Sequence, residues 1–200
     1  MKQAILLAVF AATTLFCAAQ TTNADKPQEK NYNAISPKEM LSEIMSVVGL
    51  QSNIELKEAD VLNIEAVITH RKRYILYNPD YITWITDITK SKWPAIALIA
   101  HEVGHHLNGH TITKTGSKPS VELEADEFAG FVLNKLGASL DEAQQVIQYI
   151  STNQATETHP ARASRMLAIQ TGWDKAIDNS HLAKTDKREI STASTKKLMN

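Results

Sequence analysis

Apolar residues recur along this chain at two different periods. Between Ser36 and Gly49, Met40, Leu41, Ile44, Met45 and Val48 fall on one face of a helix. Ser36-Pro37-Lys38-Glu39 supplies a capping box with proline at the first helical position, and Gly49 a stop. The pattern then shifts to alternation in β-branched residues. Ile54-Glu55-Leu56, Ile64 to Thr69 and Tyr74 to Tyr77 read as three strands of a small antiparallel sheet, with the basic run His70-Arg71-Lys72-Arg73 in a solvated hairpin loop. Helical spacing returns after Asn78-Pro79, through Ile88, and again from Ser91-Pro94 to Asn108-Gly109. Three more helices are expected: Ser120 to Leu136 with Gly137 as stop, Ser139 to Ile150 with a second capping box, and Thr158-His159-Pro160 to Ile169 with a stop near Gly172. The sum is an α+β domain, mainly helical, over residues 36–173.

One segment breaks the amphipathic rule. Ala95 to Ala100 has no polar face, which predicts a helix buried on all sides, yet it runs directly into His101-Glu102-Val103-Gly104-His105. Residues four apart on a helix differ by about 6 Å of rise and about 40° of rotation, so His101 and His105 can aim at one point, as two imidazole ligands of a zinc ion do. Glu102, about 100° round, suits a carboxylate that reaches a water rather than the metal, the general base of zinc hydrolysis. Extending the helix places His106 and His110 about 140° away, where packing or exposure is their expected fate. Gly104, unfavourable inside a helix, implies close approach of another backbone.

The following helix carries four acids, Glu122, Glu124, Asp126 and Glu127. Val121, Ala125, Phe128, Ala129, Val132, Leu133 and Leu136 define its apolar face. Glu122 lies inside that stripe and Asp126 at its edge, whereas Glu124 and Glu127 point the other way with Lys135. A buried carboxylate needs a partner, so Glu122 is expected to be the third metal ligand. Asp126 then has the task of accepting the second ring N–H of a ligating histidine.

Composition narrows the setting. With 43% hydrophobic residues in 200 and a formal net charge of −1, the chain suits one domain, with no charge signal for nucleic acid or an anionic surface. Lys2, the mainly apolar Ala4–Phe16 and the small residues after it read as an export signal over residues 1–19, directing the protein to the periplasm or the medium. That run is too short to span a bilayer, which takes about 20 residues, and no later segment is longer, so no transmembrane segment is expected in the mature chain. Cys17 is the sole cysteine, and the bulky Phe16 before it disfavours a lipoprotein. After cleavage no thiol remains, which excludes disulfides and thiolate metal sites. Residues 20–35 read as a flexible lead-in and 174–200 as a polar, mobile tail.

Three separated signals, His101-Glu102-x-x-His105, Glu122-x-x-Ala125-Asp126 and His159-Pro160 followed by Arg165, together resemble the gluzincin metallopeptidase family of HtpX, the CAAX prenyl proteases and periplasmic relatives such as BepA. The likeness covers roughly residues 64–169. It implies a minimal zincin-like fold with the small sheet beside the His-Glu-x-x-His helix. It also implies one zinc ion per chain on His101, His105 and Glu122, and Glu102 as catalytic base. The same resemblance puts His159 and Arg165 near the reacting centre, to position a carbonyl, steady an oxyanion or, for His159, gate the metal. Two departures stand out: the transmembrane helices of HtpX and the prenyl proteases are missing, and the stretch from His105 to Glu122 is short. The implied activity is an exported metalloendopeptidase acting on protein or peptide substrates, unfolded chains included. The alternatives are a zinc-binding, chaperone-like or interaction protein without turnover, and a regulatory metallopeptidase of the ImmA type, which the export signal and Asp126 disfavour.

Overall fold

The computed structural model describes residues 35–110 and 118–177, all within the unit Asn31–Asn200. The expected export signal, nearly all of the lead-in, and the tail beyond residue 177 lie outside the described residues. The elements run α1 (Pro37–Val47), β1 (Ile54–Glu58), β2 (Ile64–Thr69), β3 (Lys72–Tyr77), α2 (Pro79–Thr89), α3 (Trp93–Leu107), α4 (Pro119–Leu136) and α5 (Leu140–Ile150), followed by a helix over 162–177, here α6. The protein is mainly helical with one three-stranded sheet, as the two periods in the sequence imply.

α3 is the axis of the fold. Every residue from Pro94 to His106 is buried, and the helix packs against α1, α2, α4, α5, β2 and β3. Such a helix cannot be amphipathic, because it has core on every side. Its neighbours are amphipathic and turn one stripe inward: Met40, Leu41, Ile44 and Met45 of α1, Ile82 and Ile85 of α2, Val146 and Ile147 of α5. Both capping boxes are formed, with the Ser36 and Ser139 side chains accepting from the backbone N–H of Glu39 and Glu142.

The sheet is mixed, not antiparallel throughout. Its order is β1-β3-β2, with β2 and β3 antiparallel and β1 parallel to β3. His70 and Arg71, both at positive φ, close β2 and β3 into a tight two-residue hairpin, so only part of the basic run sits in the loop. The hairpin folds back with β3 inward, where Ile75 is fully buried, and β1 finds the far side of β3 open. Alternation within each strand cannot reveal this, since it specifies which face is buried but not which edge is paired. β2 is therefore an edge. Because Asn78 N–H donates to Asn63 O, the bonded pairs include Glu65 with Leu76 and Val67 with Tyr74, and the backbone groups of Ile64, Ala66 and Ile68 face away from β3.

α6 departs from expectation at both ends. It opens at residue 162 because Thr156 and His159 first close a turn, Thr156 N–H donating to His159 O at 2.8 Å and His159 N–H to Thr156 Oγ1 at 2.9 Å. Pro160 also disfavours helical backbone at His159. It then runs through Gly172 to residue 177, so residues 174–177 belong to the helix rather than to a tail. Gly172 is no stop: a Cβ there would lie 1.8 Å from Glu127 O, and one on Gly130 would lie 2.0 Å from Ile169 O. α4 and α6 thus cross backbone to backbone, at positions only glycine can fill. Gly104 has the same cause in milder form, its virtual Cβ being 3.2 Å from Ala125 Cα.

Gly172→Ala should accordingly lower stability by about 3 kcal/mol or more, since overpacking a rigid backbone contact exceeds the roughly 1 kcal/mol that alanine gains in a helix. Urea unfolding of the variant measures it, and a stabilised variant would return Gly172 to the role of a solvent-exposed helix end.

Candidate metal centre

α3 and α4 pack side by side and bring their polar residues together at one place. His101 and His105, one turn apart on α3, both turn Nε2 toward the same point, 3.1 Å from each other. Glu122, in the first turn of α4, meets them there: Oε2 is 3.4 Å from His101 Nε2 and Oε1 is 3.5 Å from His105 Nε2. All three side chains are buried, and the group could hold a metal ion. The sequence argument that singled out Glu122 among four acids rested on its position within the apolar stripe, and the structure brings it, and not Glu124 or Glu127, to both imidazoles.

Asp126, one turn further along α4, lies behind His101. Its Oδ1 is 2.9 Å from His101 Nδ1. Expected at the edge of the stripe, it is only 2% exposed, because α6 covers it. Arg165 of α6 grips it with both arms of the guanidinium, Nε donating to Oδ2 and Nη2 to Oδ1 at 2.7 Å each, while Nη1 reaches Ser151 Oγ at 3.3 Å. Arg165 is thus a buried partner of Asp126, one step removed from the metal-ligand cluster. Burial acts to raise the Asp126 carboxyl, but the hydrogen bonds from Arg165 and His101 outweigh it and hold it below its ordinary range.

The electrostatics favour a cation at the centre. Burial works against a charged His101, yet Asp126, Glu122 and Glu102 together raise its affinity for a proton. His105 goes the other way: burial and the neighbouring His101 push it down to about 4, leaving a neutral ring. Asp126, Glu122 and Glu102 thus favour positive charge at the His101 ring.

Glu102 is 8% exposed and lines a cleft of about 460 Å³ that also reaches His101, His105, Glu122 and Asp126. Burial pushes its carboxyl up to about 7; His101 and a hydrogen bond from the Ala66 backbone oppose the rise, and Glu122 adds to it. Ile64 and Glu65 of the edge strand β2, with Asn63 just before it, also line the cleft. Leu98, Ala129, Val146, Ile147 and Ile169 give the cleft an apolar floor. His159 stands at the mouth, its side chain 61% exposed and its Nδ1 3.7 Å from Glu122 Oε2.

Of the two further histidines near α3, His106 packs as expected, whereas His110 departs from the angular extrapolation. His106 is buried with Nε2 3.0 Å from the Tyr74 carbonyl, which serves packing against β3. His110 does not continue round the helix. α3 ends at Leu107, Gly109 takes φ +74°, and His110 N–H bonds back to His105 O at 3.0 Å. This is the helix ending in which the chain doubles back over the last turn. It sets His110 Nδ1 3.1 Å from His105 Nδ1, with His110 Nε2 3.0 Å from Glu124 Oε2. Glu124 and Glu127 are likewise engaged, Glu127 with Lys175 of α6. The signal for His110 was the Asn108-Gly109 stop itself, which implied that the helical angle no longer applied beyond it.

No protein-family model, curated protein or solved structure matches this chain.

Two outcomes follow from this geometry. Elemental analysis of protein loaded with a divalent cation should find Glu122→Ala largely stripped of metal and Glu124→Ala still loaded. Arg165→Met should cost about 3–5 kcal/mol in urea unfolding, the loss expected when a buried carboxylate is deprived of its cationic partner.

Proposed function

We propose that this protein is a zinc-dependent metalloendopeptidase, built on a minimal zincin-like domain and acting on exported or extracellular protein chains. The observation that carries the proposal is the joint placement of two imidazoles, one carboxylate and a separate buried glutamate at the edge of one cleft. Donors 2.0–2.1 Å from a tetrahedral ion lie roughly 3.3 Å from one another. His101 Nε2 and His105 Nε2 lie 3.1 Å apart, and each is approached by one of the two Glu122 oxygens, at 3.4 and 3.5 Å, separations on the scale such an ion needs. Two nitrogens and one oxygen are the donor set of catalytic zinc sites that leave a fourth position open, whereas calcium and magnesium call for oxygen ligands throughout. The order and spacing of the three motifs, similar to those of gluzincins, support the same reading.

A zinc ion held there supplies Lewis acidity, polarising a peptide carbonyl and making a nearby water easier to deprotonate. The chain's own residues supply the rest. Glu102, with a proton affinity brought near neutrality by burial, accepts the proton of the attacking water and passes it to the leaving amine. Asp126 fixes the His101 ring through Nδ1, and Arg165 fixes Asp126, so Arg165 acts as a positioning residue at one remove. His159, at the rim beside Glu122, is placed to meet a substrate carbonyl or the developing oxyanion. The outward backbone groups of Ile64, at the end of β2 that lines the cleft, offer an extended peptide an edge to lie against. Such a groove accepts unfolded segments and excludes folded domains.

Purified protein should hydrolyse casein or another unfolded chain, lose that activity to a chelator and regain it with zinc. Glu102→Gln should retain zinc and fold while losing at least about 10²-fold in rate, as loss of a general base entails. Zinc bound stoichiometrically by a wild type that hydrolyses nothing would point instead to a zinc-binding, chaperone-like protein.

A further inference from the structure

We infer that His110 and Glu124 form a hydrogen-bonded relay that fixes His105 as a metal ligand, the counterpart on the second imidazole of what Asp126 does for the first. The inference rests on the metal site proposed above and concerns residues outside it. A ligating nitrogen must present its lone pair, and Nε2 of both His101 and His105 faces Glu122 and the other ring. Both rings must then carry their proton on Nδ1, and each such N–H, buried, needs an acceptor. His101 has Asp126. For His105 the atom within reach is His110 Nδ1, at 3.1 Å. To accept there, His110 must hold its own proton on Nε2, and that nitrogen meets Glu124 Oε2 at 3.0 Å. One assignment of protons satisfies the whole chain: His105 Nδ1–H to His110 Nδ1, and His110 Nε2–H to the Glu124 carboxylate.

The backbone is shaped for this contact. Gly109 at φ +74° and the bond from His110 N–H to His105 O return the histidine over the residue it serves, rings edge to face with centroids 5.3 Å apart. The His110 side chain is 10% exposed, while Glu124 is 62% exposed. α4 therefore supplies an acid to each imidazole, Asp126 directly from the interior and Glu124 from the surface through an intervening ring. The extra ring spans the distance that a carboxylate on the outer side of α4 cannot cover.

The test measures zinc affinity of the full chain by competition with a chromogenic chelator, with no need for turnover. His110→Ala should bind zinc about 10–100-fold more weakly than wild type, the usual effect of removing the partner of a ligating histidine. His110→Asn, whose Oδ1 sits where Nδ1 was, should recover most of that loss. In ¹⁵N spectra of the zinc-loaded protein, His110 should appear as the Nε2–H tautomer, and the His105 Nδ1–H should exchange faster in His110→Ala. Equal affinity in wild type and His110→Ala, or a proton on His110 Nδ1, overturns the relay while leaving the metal centre standing. A wild type that takes up no zinc overturns both.

Discussion

The carboxylate of Asp126 joins three helices, α3, α4 and α6, at one buried point. From α4 it receives the His101 ring of α3 on one oxygen and the fork of Arg165 from α6 on both. A charge buried this deeply is unfavourable unless its partners surround it, and here the partners come from elements far apart in sequence. The interaction is stable only when α3, α4 and α6 are all in register. It therefore ties the orientation of the His101 ring to the packing of α6 on α4.

Close packing makes that register possible. Gly104 lets α4 approach α3, while Gly130 and Gly172 let α6 cross α4 with backbone against backbone. With the axes drawn this near, the acids of α4 act in different directions within two turns. Glu122 faces the imidazoles, Asp126 stands behind His101, and Glu124 reaches outward to His110. A wider separation between α3 and α4 would leave the short side chains of Glu122 and Asp126 unable to meet the same helix face.

The sheet adds Ile54, Ile64, Ile75 and Tyr77 to the core and borders the cleft at Ile64 and Glu65. β3 is paired on both sides and anchors the layer, which leaves β2 at the edge with its outward backbone groups beside Glu102. The cleft is thus bounded by an extended strand on one side and by α4 and α5 residues beneath, with His159 at the rim.

Local pattern alone determined most elements of this protein: the capped starts at Ser36 and Ser139, the burial of α3, the hairpin around His70, and the choice of Glu122 over its acidic neighbours. Each depends on the period of a regular element or on cap chemistry, and both are written in adjacent residues. Tertiary structure decided the rest. Whether β1 pairs with β2 or β3 depends on which edge remains open once the hairpin forms. Gly172 reads as a stop until another helix passes through the space its side chain would fill. His110 reads as a residue on the wrong face until the chain turns at Gly109, and the pairing of Arg165 with Asp126 is invisible until α6 lies over α4. For β1, Gly172 and Arg165 the deciding quantity is the distance between segments remote in sequence, which no local periodicity encodes; for His110 it is the local turn at Gly109, which ends the helical period.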